Sequence, residues 1–61
     1  MSGPLRIGQA VVYRPHPGAK PEDGVVVAVS TDPTLVFVRY AGDHPDAPAK
    51  ATRVVDLEVA R

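Results

Sequence analysis

The sequence predicts an all-β fold, a single small domain whose five short strands curl into a barrel. Three observations carry this. β-Branched and aromatic residues concentrate in Val25–Val29 and Leu35–Tyr40, around the turn chemistry of Thr31-Asp32-Pro33-Thr34. All seven prolines fall outside the strand interiors, where a residue without an amide donor would break a ladder. No segment supports a helix: the best candidate, residues 46–60, holds Pro48 and several β-branched residues. Five strands in 61 residues are too few for a two-sheet sandwich. A strongly bent sheet encloses one core and hides most of its edges.

Taken in order, Met1 to Pro4 is expected to be a frayed lead, and the domain proper runs over residues 5–61. Gly8 suits a turn that needs a glycine-only backbone angle. Gln9 to Arg14 reads as the first strand, ended by Pro15. Pro15 to Asp23 carries three prolines and a glycine and is a stiff surface loop. Glu22-Asp23-Gly24 is expected as the turn into the second strand.

Alternation is hidden in Val25-Val26-Val27-Ala28-Val29, because both faces are apolar. It is clear in the third strand. Arg39 marks the Leu35–Phe37–Arg39 set as outer, since an unpaired buried guanidinium is costly. Val36, Val38 and the Tyr40 ring then point inward. With Val26 and Val29 they are the expected core. Ala41 to Ala49 is a second irregular loop. Lys50 to Arg53 is a short fourth strand. Asp56 suits a 3₁₀ turn before a last strand, from which Leu57 and Val59 point inward.

A chain this short buries only about 60% of the surface its unfolded form exposes, so its stability is marginal. It contains no cysteine, which removes disulfides and thiolate metal sites and fits a cytoplasmic protein. Seven basic and seven acidic residues give zero formal charge. That argues against the cationic surface on which non-specific nucleic-acid binding depends. No apolar run approaches the roughly 20 residues of a membrane span. The start lacks the apolar core of a signal peptide.

In Ile7-Gly8-Gln9-Ala10-Val11, Gly24-Val25-Val26 with Val29, Val36-Phe37-Val38-Arg39-Tyr40 and Asp56-Leu57, the chain resembles the SH3-like small barrels, in particular the Tudor and KOW-type members. The resemblance covers about residues 5–60. The pattern is also similar to short uncharacterised proteins of actinobacteria and their phages. The resemblance implies a ligand pocket between the loops that follow strands one and three, here Pro15–Asp23 and Ala41–Ala49. Tudor-like domains hold methyl-lysine there in an aromatic cage. Here neither loop has an aromatic ring apart from its histidine. The KOW-type likeness implies contacts to RNA or transcription machinery.

Two surfaces follow as candidates for a protein partner or self-association. One is the outer face around Phe37 and Arg39, with Val12, Val25 and Val27, because contiguous exposed apolar area marks binding. The other is the end lined by Tyr13, His16, Tyr40 and His44. For nucleic acid the alternative is a stripe of Arg14, Arg39, Lys50 and Arg53. If the loops converge, His16 and His44 with Asp43 or Asp46 could ligate zinc, but a His-Pro step in a polar loop usually marks only a turn, and two imidazoles and a carboxylate fall short of a metal assignment. A triad written from Ser30, His16 and Asp43 lacks any nucleophile elbow, and no glycine-rich phosphate loop exists. Neither an enzyme nor a cofactor is therefore expected.

Overall fold

The computed structural model describes residues 5–60; the lead expected at residues 1–4 lies outside them. Five strands form one antiparallel sheet: β1 (Ala10–Tyr13), β2 (Glu22–Val29), β3 (Leu35–Tyr40), β4 (Lys50–Arg53) and β5 (Leu57–Val59). Their spatial order is β4-β3-β2-β1-β5. β3 and β4 match the sequence reading residue for residue. The only helical turn among the described residues is a 3₁₀ turn over Val54–Asp56, where Asp56 led us to expect one. The chain is thus all-β.

β4 and β5 are the two edges, and they do not pair with each other among the described residues. Yet only Val54–Asp56 separates them in sequence. A flat five-stranded sheet would hold its edges about 19 Å apart. A 3₁₀ turn advances only about 2 Å per residue. The sheet must therefore curl. The short turn is tied to both sides: Val54 N–H donates to Thr34 O at 2.8 Å, and Arg14 N–H donates to Asp56 O at 2.9 Å.

The concave side holds the core. Val11, Val26, Val36, Val38 and Tyr40 are buried there, with Leu5, Tyr13, Val54 and Leu57 packed against them. Thr52 is the buried polar residue. Its Oγ1 lies 2.8 Å from Tyr40 Oη and donates to Lys50 O at 3.2 Å. A hydroxyl has one proton, so Tyr40 donates to Thr52. Gly8 turns the chain into β1 with φ +90, the glycine-favoured region. Its N–H donates to Val26 O at 2.7 Å, and Val26 N–H donates to Gln9 O at 3.0 Å. The β2–β3 turn has Pro33 at its second position, and Asp32 Oδ1 accepts from Thr34 N–H at 2.9 Å and Thr34 Oγ1 at 2.7 Å.

Several expectations need correction. Glu22–Gly24 is not a turn but the start of β2, because Glu22, Asp23 and Gly24 pair with Tyr13, Val12 and Val11. Val29 is not in the core. A β-bulge shifts the β2–β3 register between Val26 and Ala28, and beyond it Val29 is 55% exposed although it lies opposite buried Val36. Val59 is 50% exposed, because its three-residue edge strand has no neighbour on one side. Val11, passed over in the sequence reading, is completely buried.

Candidate functional site

The outer face is organised by register. Ala10 pairs with Val25, and Val25 pairs with Arg39, which makes one row across β1, β2 and β3. Cross-strand partners point to the same face. Arg39 is exposed, as its charge required. Phe37 pairs with Ala28 and Ala51 farther along this face and is half-buried, away from the row.

The Ala41–Ala49 loop folds back beside this row. Arg39 Nη1–H donates to Pro45 O at 2.8 Å, which pins the loop next to the sheet. Lys50 Nζ lies 3.4 Å from Asp43 Oδ2. His44 Nδ1 accepts the Asp46 amide at 3.1 Å, a bond available only to an unprotonated Nδ1. The Asp46 carboxylate, 3.8 Å from the same nitrogen, would become an ion-pair partner only for the imidazolium. Sheet and loop together enclose an open cleft of about 570 Å³. Ala10 and Val25 lie in it on the sheet side, and His44 and Pro45 line the loop side. Asp23 and Arg39 also line it and carry opposite charges.

Close approach sets the floor. Gly24 lines the cleft, and a Cβ at this position would sit 2.6 Å from Val38 Cγ1 and 3.1 Å from both Arg39 O and Tyr40 Cδ1. Only a residue without Cβ lets β2 and β3 pack here.

The other expected site residues are dispersed. Tyr40 is a core residue that only touches the cleft, and its ring meets Tyr13 edge-on with centroids 5.7 Å apart. Burial holds the Tyr40 hydroxyl above the ordinary tyrosine value. A smaller cleft of about 350 Å³ does lie between the loops after β1 and β3, but it is lined by Pro21–Asp23 and Tyr40–Asp43 and not by the histidines. His16 lines a separate hollow with Arg14, Val55, Asp56 and Glu58. His16 and His44 therefore sit in different clefts, and no group of three His, Cys, Asp or Glu side chains able to hold a metal occurs among the described residues. Ser30 accepts the Asp32 amide at the β2–β3 turn, whereas Asp43 follows the opposite end of β3.

The basic residues do not make one stripe. Lys50 pairs with Val38, a core-facing position, and its Nζ stands 5.9 Å from the Tyr40 ring centre. Three residues on, alternation puts Arg53 on the opposite face, where it is held 3.2 Å from Asp56. Arg14 is by the His16 hollow. Among the described residues no helix is long and apolar enough to cross a membrane. Sequence reasoning missed Asp23 and Ala10 as site residues. Their signal was available only once the register joined them to Val25 and Arg39. No protein family, curated protein or solved structure matches the chain.

Proposed function

We propose that this chain is a non-enzymatic protein-interaction module, an SH3-like small barrel that binds through the cleft over Ala10, Val25 and Arg39. The observation that supports this reading is the cleft itself: Ala10 and Val25 exposed on the sheet, with a loop held beside them by a guanidinium. Exposed apolar area of this kind is used for partners in preference to solvent. The strand order and the 3₁₀ turn between the edge strands support the barrel family. The protein reading gains further support from Lys50 and Arg53, whose charges are met by Asp43 and Asp56. A cytoplasmic setting in an actinobacterium or one of its phages accords with the composition and is part of the proposal.

The test is selection of binders from a random-peptide display library, with amide shift mapping of the ¹⁵N-labelled domain. The expected result is shifts clustered at Ala10, Val25, Arg39, Ala41 and His44, abolished by Val25→Glu. Binders that map to the His16 hollow or to the β4 edge would overturn the assignment.

A further inference from the structure

Four outer-face positions form the corners of a rectangle on β2 and β3. Val25 is opposite Arg39 in the ladder. Two residues back, Asp23 is joined to Ala41, whose N–H donates to Asp23 O at 2.9 Å. All four line the cleft. Asp23 and Arg39 occupy one diagonal, about 7–8 Å apart at that spacing, and Val25 and Ala41 occupy the other. No ion pair joins Asp23 to Arg39 among the described residues, where Lys50 is paired with Asp43 and Arg53 with Asp56. Asp43, the other acid that lines the cleft, is held by Lys50, so Asp23 and Arg39 are the acid and base there that do not satisfy each other.

We infer that the occupant of this face is a second copy of the chain, related by a two-fold axis lying along the Val25–Ala41 diagonal. This rests on the interaction-module reading above and names its partner. An axis lying in the interface along one diagonal carries each end of the other to within about 3 Å of its opposite end, for ladder sides of about 5 and 7 Å, a gap that the aspartate and arginine side chains span. Asp23 then faces the partner's Arg39, and Arg39 faces the partner's Asp23. Val25 packs on the partner's Val25 and Ala41 on the partner's Ala41. A two-fold interface needs such a self-complementary patch, and an acid–base diagonal flanking apolar residues is the simplest one. The chain has zero formal charge, so two copies meet without net repulsion. Size sets the strength. The broadest profile of the molecule is 31 × 27 Å, close to the roughly 800 Å² that each partner of a standard interface buries. A cleft covering part of that profile buries less than a standard interface, the size of a weak, reversible contact and not of an obligate dimer.

Sedimentation velocity on the full chain from about 1 µM to 1 mM tests this. Wild type is expected to pass from monomer to dimer, more weakly at 500 mM salt than at 50 mM. Asp23→Arg and Arg39→Asp each place like charges opposite one another twice, and each should raise the dissociation constant at least tenfold. Their mixture is the decisive arm. One variant then carries two bases on the diagonal and the other two acids, so the two monomeric variants should form a heterodimer at wild-type affinity. The double variant Asp23→Arg/Arg39→Asp should self-associate again. Circular dichroism confirms that each variant is folded. A monomer throughout the range, a dimer indifferent to the single reversals, or an unassociated mixture of folded variants would each overturn the inference. Display peptides that still map to Val25 in that event would leave the broader module reading standing, so the two failures are separable.

Discussion

Gly24→Ala tests the close packing of β2 on β3, because a single methyl has nowhere to go. The added Cβ would meet Val38 Cγ1 at 2.6 Å, with Arg39 O and Tyr40 Cδ1 both at 3.1 Å. Two of these are core side chains and one is backbone, so none can swing aside into solvent. Overpacking of this kind costs about 1–3 kcal/mol, and three simultaneous contacts place the value in the upper half of that range. Alanine also narrows the unfolded ensemble, which returns about 0.4–1 kcal/mol. The net loss is about 1–2.5 kcal/mol. For a 61-residue domain the total at ~0.05–0.15 kcal/mol per residue is only about 3–9 kcal/mol. Urea unfolding followed by far-ultraviolet circular dichroism reads this directly. With a slope near 1 kcal/mol per molar, the midpoint should fall by about 1–2.5 M at unchanged slope. Val38→Ala supplies the cycle. Alone it leaves a cavity and costs about 1–3 kcal/mol. In the Gly24→Ala background it also removes the 2.6 Å contact, so it should cost at least about 0.5 kcal/mol less. A Gly24→Ala protein as stable as the parent, or strictly additive behaviour with Val38→Ala, would refute the packing argument.

Other perturbations follow from the same contacts. Tyr40→Phe deletes the donor to Thr52 but leaves Thr52 bonded to Lys50 O, so thermal unfolding should show a loss of about 0.5–1.5 kcal/mol. Thr52→Val strands the Tyr40 hydroxyl in the core and should cost more, about 1–3 kcal/mol. Because burial raises the folded Tyr40 value, the unfolded chain ionises first. Its contribution is intact below the ordinary value of about 10 and is lost as pH climbs from there through the folded value; a pH series of unfolding midpoints should lose part of that alkaline slope in Tyr40→Phe. Asp32 is held below its ordinary value by the Thr34 side-chain and backbone bonds, so its contribution is present above about pH 4 and is lost as pH falls through the lowered value. Asp32→Ala should flatten that acid limb in the same series. Arg39→Gln removes the guanidinium that holds Pro45 O, and hydrogen exchange at Ala41–Ala47 amides should quicken while exchange at Val26 and Val38 stays slow.

How much of this was legible in the chain depends on how unambiguous each strand's alternation is. β3 was fully readable because one charge, Arg39, fixed the parity of its neighbours and so of the core. β2 was not, since Val25 to Val29 are apolar on both faces and nothing in such a run reveals a bulge. The bulge between Val26 and Ala28 is what moves Val27 out of register. It is set by how far the sheet must bend around the core, which is a tertiary quantity. Val59 failed for a related reason. Inward direction does not bury a residue on a three-residue edge strand. Gly24 was recognised as a breaker and read as turn, although its actual role is close approach between two paired strands. The site divides in the same way. Arg39 could be placed outward from sequence, whereas its bond to Pro45, and the separation of His16 from His44, depend on where two proline-rich loops travel. No local pattern encodes that path.

The remaining question is why association should use the outer face and not an edge. The inner face is consumed by Val11, Val26, Val36, Val38 and Tyr40, and among the described residues no second sheet or helix covers the other side. The edges are poor templates for strand addition. β5 has three residues with exposed Glu58 at its centre, and β4 has four with Lys50 and Arg53 at its ends. Short, charged edges are how sheets avoid unwanted pairing. The outer row lacks that protection. Ala10 and Val25 present no charge, and Asp23 and Arg39 stand on a diagonal where each lacks an internal counterion among the described residues. Blocked edges and an open, self-matching face favour partners that pack flat against β2 and β3. They disfavour partners that extend the sheet. A proline placed at Ala51 on the β4 edge should therefore leave association unchanged where the fold survives, whereas Val25→Glu should abolish it; the reverse pattern in sedimentation would move the interface to the edge.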